Sequence, residues 1–155
     1  MNVSIDVDMY SVRQKELQMS RVQLALNVTD VDAAVDFYGK LFGAEPAKRR
    51  PGYANFAIDQ PPLKLVLIEA KEGGTLNHLG VELADTEEVS VASDRLVTSG
   101  LVTREEMGVE CCYALQDKVW VNDPDGAPWE WYTVLGDSQV MDSDAACCVG
   151  ETACC

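Results

Sequence analysis

The sequence predicts an α+β domain built from two tandem βαβββ modules, about residues 19–72 and 75–136, whose mixed sheets close around a shared cavity. Two observations carry this. Strand alternation gives way to helical spacing and then to strands again, twice in the same order. The second is an internal repeat. Laid over itself so that Gln23 falls on His78, the chain matches without a gap through a strand and a helix: Val28 meets Leu83, Asp30 meets Asp85, and Leu41 meets Leu96. At the far end of each half PLKLV matches PWEWY, so Lys64 falls on Glu130.

The elements follow in order. Residues 1–18 are polar and lack clean periodicity, so they are expected to form a disordered extension before Met19. RVQLALNV alternates as a strand, with Val22, Leu24, Leu26 and Val28 on one face and Gln23, Ala25 and Asn27 on the other. Thr29 or Asp30 caps a helix in which Val31, Ala34, Val35, Tyr38, Leu41 and Phe42 share a stripe, and Gly43 stops it. Short strands are expected near 47–50 and 53–58, and an apolar one over 63–70. NHLGVEL restarts the pattern. Thr86 is the expected cap of the second helix, which turns Val89, Leu96 and Val97 inward and ends at Gly100. Strands are then expected near 101–109, 118–122 and 128–134, the last two joined through Asn122–Gly126 with Gly126 at positive φ. Residues 137–155 are rich in Asp, Ser, Gly, Ala and Cys and are expected to be a flexible Cys-rich tail.

Composition bounds the function. A net charge of −14 over 155 residues argues against nucleic acid, because phosphate binding needs clustered Lys and Arg. No stretch approaches the roughly 20 apolar residues of a membrane span, and the N-terminal residues lack a secretory signal, so a cytoplasmic protein is expected. The six cysteines form three adjacent pairs, Cys111/Cys112, Cys147/Cys148 and Cys154/Cys155. Neighbouring cysteines make poor disulfides with each other, and reduced thiols suited to a thiophilic ligand are expected. The bland alternative for Cys111/Cys112 is a small buried residue beside an incidental second cysteine.

The repeat gives Gln23, His78, Lys64 and Glu130 four related positions, on the first and last strand of each half. Glu130 lies between Trp129 and Trp131, so it faces either water or a cavity. A lone histidine is usually structural. Grouped with one amide oxygen and one carboxylate, however, it suits a ferrous ion with open positions, while Lys64 leaves its side of the metal without a ligand.

The stretches SRVQLALNVTDVDAAVDFYGKLFG, KRRPGYANFAI, PPLKLVLIE, LNHLGVE, CCYALQDKVWV and WEWYTVL resemble the carbon–arsenic lyases (ArsI type) and the related cadmium-induced proteins (CadI). Both belong to the vicinal oxygen chelate superfamily, with the type I extradiol dioxygenases and glyoxalase I. The resemblance spans roughly residues 19–135. It implies a non-haem Fe(II) enzyme that uses O2 to cleave the C–As bond of trivalent organoarsenicals, such as methylarsenite and reduced aromatic arsenicals. It also implies Gln23, His78 and Glu130 as metal ligands and Cys111 and Cys112 as the arsenical-binding thiols. Tyr113, Gln116, Lys118 and Lys64 are candidates for a lid or for support around the metal, with solvent-facing loop residues the alternative for the first three. Ordinary extradiol dioxygenases carry His where this chain has Gln23.

Two other readings stay open: thiol-based sequestration of cadmium or arsenic without turnover, and an ordinary extradiol dioxygenase-like enzyme. The expected partners are small-molecule arsenicals, with no nucleic acid and no membrane, and the expected state is a monomer or homodimer. The tail pairs suit mobile capture thiols, a Zn(II) site or a dispensable segment.

Overall fold

The computed structural model describes residues 20–141. The expected extension over 1–18 and the pairs Cys147/Cys148 and Cys154/Cys155 lie outside the described residues. The first module runs β1 Arg21–Val28, α1 Val31–Phe42, β2 Lys48–Arg50, β3 Tyr53–Ile58 and β4 Leu63–Glu69. The second runs β5 Thr75–Glu82, α2 Thr86–Thr98, β6 Thr103–Cys111, β7 Ala114–Asn122 and β8 Pro128–Asp137. All eight strands form one mixed sheet in the order β2-β3-β4-β1-β5-β8-β7-β6. Each module's first strand pairs in parallel with its last, β1 with β4 and β5 with β8. The modules join through the antiparallel β1–β5 pair.

The helices start and stop for local reasons. Asp30 is extended and accepts from the Ala33 amide at 2.9 Å, and Gly43 closes α1 at φ 62°. For α2 the cap is Asp85 rather than Thr86. Asp85 is the extended residue and accepts from the Glu88 amide, while the Thr86 hydroxyl donates to Asp117. Glu88 reaches back to the Ala84 amide at 3.0 Å. Val97 is 56% exposed, and Ala92 and Ser93 complete the buried stripe with Val89 and Leu96.

Both helices cover the same face of the sheet. Val31 and Val35 pack on Phe56, Leu65 and Leu67, and Val89 and Leu96 pack on Val119 with Trp131 beside them. The opposite face carries Gln23, Lys64, His78, Glu130 and Tyr132, and here the two modules meet around a cavity. The β6–β7 connection is a two-residue turn, Cys112-Tyr113, with φ of 55° and 61°. Its tip packs against Ala25, Tyr53, Val66 and Ile68 of the first module. β8 runs past Gly136, and the Cys112 and Tyr113 amides donate to the Met141 and Val140 carbonyls. The packed part of the chain therefore reaches Met141, beyond the boundary expected at 136. Among the described residues no helix is long and apolar enough to cross a membrane.

One row across the sheet positions the cavity: Lys64, Gln23, Gly80, Glu130 and Trp120 are successive register partners. Gly80 leaves the middle of this row without a side chain. A Cβ there would lie 2.9 Å from both Cγ and the backbone oxygen of Glu130, and 3.4 Å from Gln23 Cβ. Gly80→Ala should therefore destabilise the fold by about 1–3 kcal/mol, as overpacking does. Urea unfolding would check it, and an unchanged midpoint would mean that the row has slack.

Candidate active site

Gln23, His78 and Glu130 come from β1, β5 and β8, and their side chains meet. Gln23 Nε2 lies 2.9 Å from His78 Nε2 and donates to Glu130 Oε1 at 2.5 Å, while His78 Nε2 is 3.2 Å from the same oxygen. All three residues are at least 95% buried. Three ligands on one octahedral face, with bonds near 2.1 Å, lie roughly 3.0 Å apart, so this triangle already has the spacing of a facial metal site. The fit has one condition. In the hydrogen-bonded triangle the Gln23 amide turns its nitrogen inward, and a metal would require the amide to rotate and present Oε1. Among the described residues no three His, Cys, Asp or Glu side chains cluster as a metal site, so the triangle depends on that amide.

The charge of Glu130 is balanced locally. Burial alone would raise its pKa. Lys118 and His78 outweigh burial and hold it down at about 2. Lys118 is itself 2% exposed, and its Nζ donates to Glu130 Oε2 at 2.9 Å. One carboxylate oxygen thus faces Gln23 and His78 while the other is held by the lysine.

The cavity, of about 250 Å³, is lined by the triangle together with Tyr53, Asn55, Lys64, Val66, Glu82, Cys112, Gln116, Lys118 and Tyr132, among others. Cys112 therefore opens on the same space as the triangle. Cys111 is fully buried beside it, with 3.1 Å between the sulfurs. That separation is far beyond the roughly 2.05 Å of a bond.

The remaining candidates divide. Gln116 and Lys118 are buried on β7, not in a solvent-facing loop, and Gln116 Nε2 donates to the Cys111 carbonyl at 3.2 Å. Lys64 lines the cavity and pairs with Glu82 at 3.5 Å. Tyr113 is not a lining residue; its ring lies 5.5 Å from Tyr53 and its hydroxyl donates to the Pro51 carbonyl. Glu82, Tyr132, Tyr53 and Asn55 were not anticipated. The alternation that placed Glu130 could have found the first two, which share its face two residues along β5 and β8 from Gly80 and Glu130. Burial raises the pKa of Tyr53 and of Tyr132, so both phenols stay neutral, and the Tyr132 hydroxyl has no partner among the described residues.

Because folding lowers the pKa of Glu130, its charge stabilises the fold above the usual carboxylate pKa, and that contribution is lost as pH falls toward about 2. Glu130→Gln should therefore flatten the acid limb of stability between about pH 4.5 and pH 2 relative to wild type. Denaturant unfolding of both proteins at pH 5 and pH 3 is the measurement. Equal losses in the two would contradict the strongly paired carboxylate.

The model of the Glyoxalase/Bleomycin resistance protein/Dioxygenase superfamily matches residues 20–131. The chain is 60% identical over 134 residues to the trivalent organoarsenical cleaving enzyme of Thermomonospora curvata, covering 84% of this chain and 89% of that one. It is 56% identical over 147 residues to the cadmium-induced protein CadI of Mycobacterium tuberculosis, covering 87% and 97%. Among solved structures, a Mn(II)-bound glyoxalase from Novosphingobium aromaticivorans superposes with a TM-score of 0.56 at 20% identity, covering 82% of this chain and 44% of that one. At that identity the likeness speaks for the fold.

Proposed function

The chain belongs to the glyoxalase/bleomycin resistance protein/dioxygenase superfamily, and on that premise we propose that it is an Fe(II)- and O2-dependent lyase cleaving the C–As bond of trivalent organoarsenicals. One observation carries the reading: a vicinal cysteine pair adjoins the cavity in which Gln23, His78 and Glu130 converge. The T. curvata relative's name supports the substrate class.

The residues have separable tasks. Trivalent arsenic with one organic group has two remaining valences and prefers sulfur. The reduced Cys111/Cys112 pair would fill both, displacing two hydroxides and fixing the orientation of the C–As bond. Thiolates are the binding form. Gln23 Oε1, His78 Nε2 and Glu130 Oε1 would hold the iron and leave the opposite positions open. Iron held there would supply a binding place for O2 and the electrons that activate it. For methylarsenite the balance is CH3As(OH)2 + O2 → As(OH)3 + CH2O. The C–As bond breaks, one oxygen atom goes to arsenic and the other to carbon. Lys118 holds the outer oxygen of Glu130 and leaves the inner one to face the metal position. The neutral Tyr132 hydroxyl offers a donor inside the cavity.

The cadmium-induced relative supports a second reading, in which the thiols sequester cadmium or arsenite without turnover. Arsenic speciation after aerobic incubation of reduced protein with Fe(II) and methylarsenite separates the two. Wild type should release arsenite with O2 present and none without it. Cys111→Ser/Cys112→Ser should keep its iron content and fold but release none, because serine does not replace thiolate toward As(III). An active double variant would remove the thiols from the substrate site, and tight binding without cleavage in wild type would favour sequestration. His78→Ala should lose both turnover and most of its iron while circular dichroism stays native.

A further inference from the structure

We infer that Asn77 is a positioning residue that sets the tautomer of His78, at the end of a side-chain relay running from Thr75 through Asn27. Neighbouring residues on a strand normally point to opposite faces. Here a β-bulge overrides that rule. Ala25 pairs with His78, but Leu26 pairs with Leu76, which leaves Asn77 as the extra residue against β1. The bulge lets the Asn77 side chain meet the imidazole of the next residue, and Asn77 Oδ1 lies 2.7 Å from His78 Nδ1.

The relay runs in one direction through two amides, each of which has one accepting and one donating end. Asn27 Nδ2 donates to Thr75 Oγ1 at 2.9 Å, and Asn77 Nδ2 donates to Asn27 Oδ1 at 2.9 Å. Only the oxygen of Asn77 then remains for the ring. An oxygen that can only accept requires the proton of neutral His78 to sit on Nδ1.

The shorter contact on the opposite side of the ring points the same way. The Glu130 carboxylate accepts, so the Gln23 group facing it at 2.5 Å is the NH2, and that NH2 also meets His78 Nε2 at 2.9 Å. His78 Nε2 also lies 3.2 Å from Glu130 Oε1, and the shorter contact, to the donating NH2, makes Nε2 the lone-pair nitrogen of the neutral ring. The relay and the triangle agree, and Nε2 is presented to the space that the proposed function gives to iron. Partners of this kind hold a ligating histidine in one tautomer and orientation, and losing one typically weakens metal binding.

The consequence for metal rests on the proposed function; the tautomer does not. His78 is the single histidine of the chain, so its ring nitrogens give an uncrowded ¹⁵N spectrum in the full-length, metal-free protein. Wild type at a pH where the ring is neutral should show the Nδ1–H form. Asn77→Ala should shift the signals toward a mixture of tautomers and weaken Co(II) binding about 10–100-fold, with the thermal midpoint used to confirm folding. Asn77→Asp keeps an accepting oxygen and should restore both. An Nε2–H form in wild type, or an Asn77→Ala protein with unchanged tautomer and unchanged Co(II) affinity, would overturn the inference. A shifted tautomer with unchanged Co(II) affinity would uphold the positioning role and count against the triangle as the metal site.

Discussion

A carboxylate taken out of water is the constraint around which this cavity is arranged. Glu130 is 3% exposed, and an isolated charge at that depth would be neutralised or would unfold its surroundings. Each of its oxygens is instead assigned. Oε2 takes the Lys118 ammonium, while Oε1 faces the Gln23 amide and His78 Nε2. Those partners come from different strands, and they reach Glu130 because Gly80 puts no side chain between Gln23 and Glu130. Removing one partner leaves another group buried and unpaired, so the cluster is costly to break one residue at a time. Its polarity also suits a dication. A cation could enter with one anionic oxygen already turned toward it and Lys118 still neutralising the other.

Much of this was legible in the chain. Register in a half-buried strand is tightly specified, so alternation separated the faces of the strands that carry Gln23, His78 and Glu130, and the repeat gave these three and Lys64 related positions. The caps, the Gly43 stop and the turn at Gly126 are local rules obeyed locally. The misreadings have physical sources. Thr86 and Asp85 are both good caps, and Asp117 on a distant strand decides between them by taking the Thr86 hydroxyl. Val97 fits a helical stripe as well as Ser93 does, but Ser93 is buried and Val97 is exposed. Lys118 was expected to open a strand and to serve as a lid or metal support, with a solvent-facing residue as the alternative because buried lysines are rare; Glu130 across the β7–β8 pair gives it a buried partner. The bulge at Asn77 depends on where β1 and β5 slip past each other, and no single strand records that.

The thiol pair illustrates how the fold joins two kinds of chemistry. Cys112 and Tyr113 both take the left-handed conformation, uncommon for residues with side chains, in a turn whose backbone hydrogen-bonds to Val140 and Met141. Lys48 on β2 donates to the Tyr113 carbonyl and pairs with Asp137, so both modules hold the turn. The second module thereby supplies the sulfur and the first supplies the wall against which it packs. The proposed thiol site and the proposed metal site would thus share one cavity without sharing atoms.

That separation is the central claim, and X-ray absorption at the metal edge of the reduced, Co(II)-loaded protein tests it most directly. The account predicts one imidazole nitrogen, with every other near neighbour an oxygen at roughly 2.0–2.2 Å and no sulfur in the coordination shell. A sulfur shell near 2.3 Å would contradict it, placing the metal on the cysteines and leaving the Gln23–His78–Glu130 triangle without its proposed role.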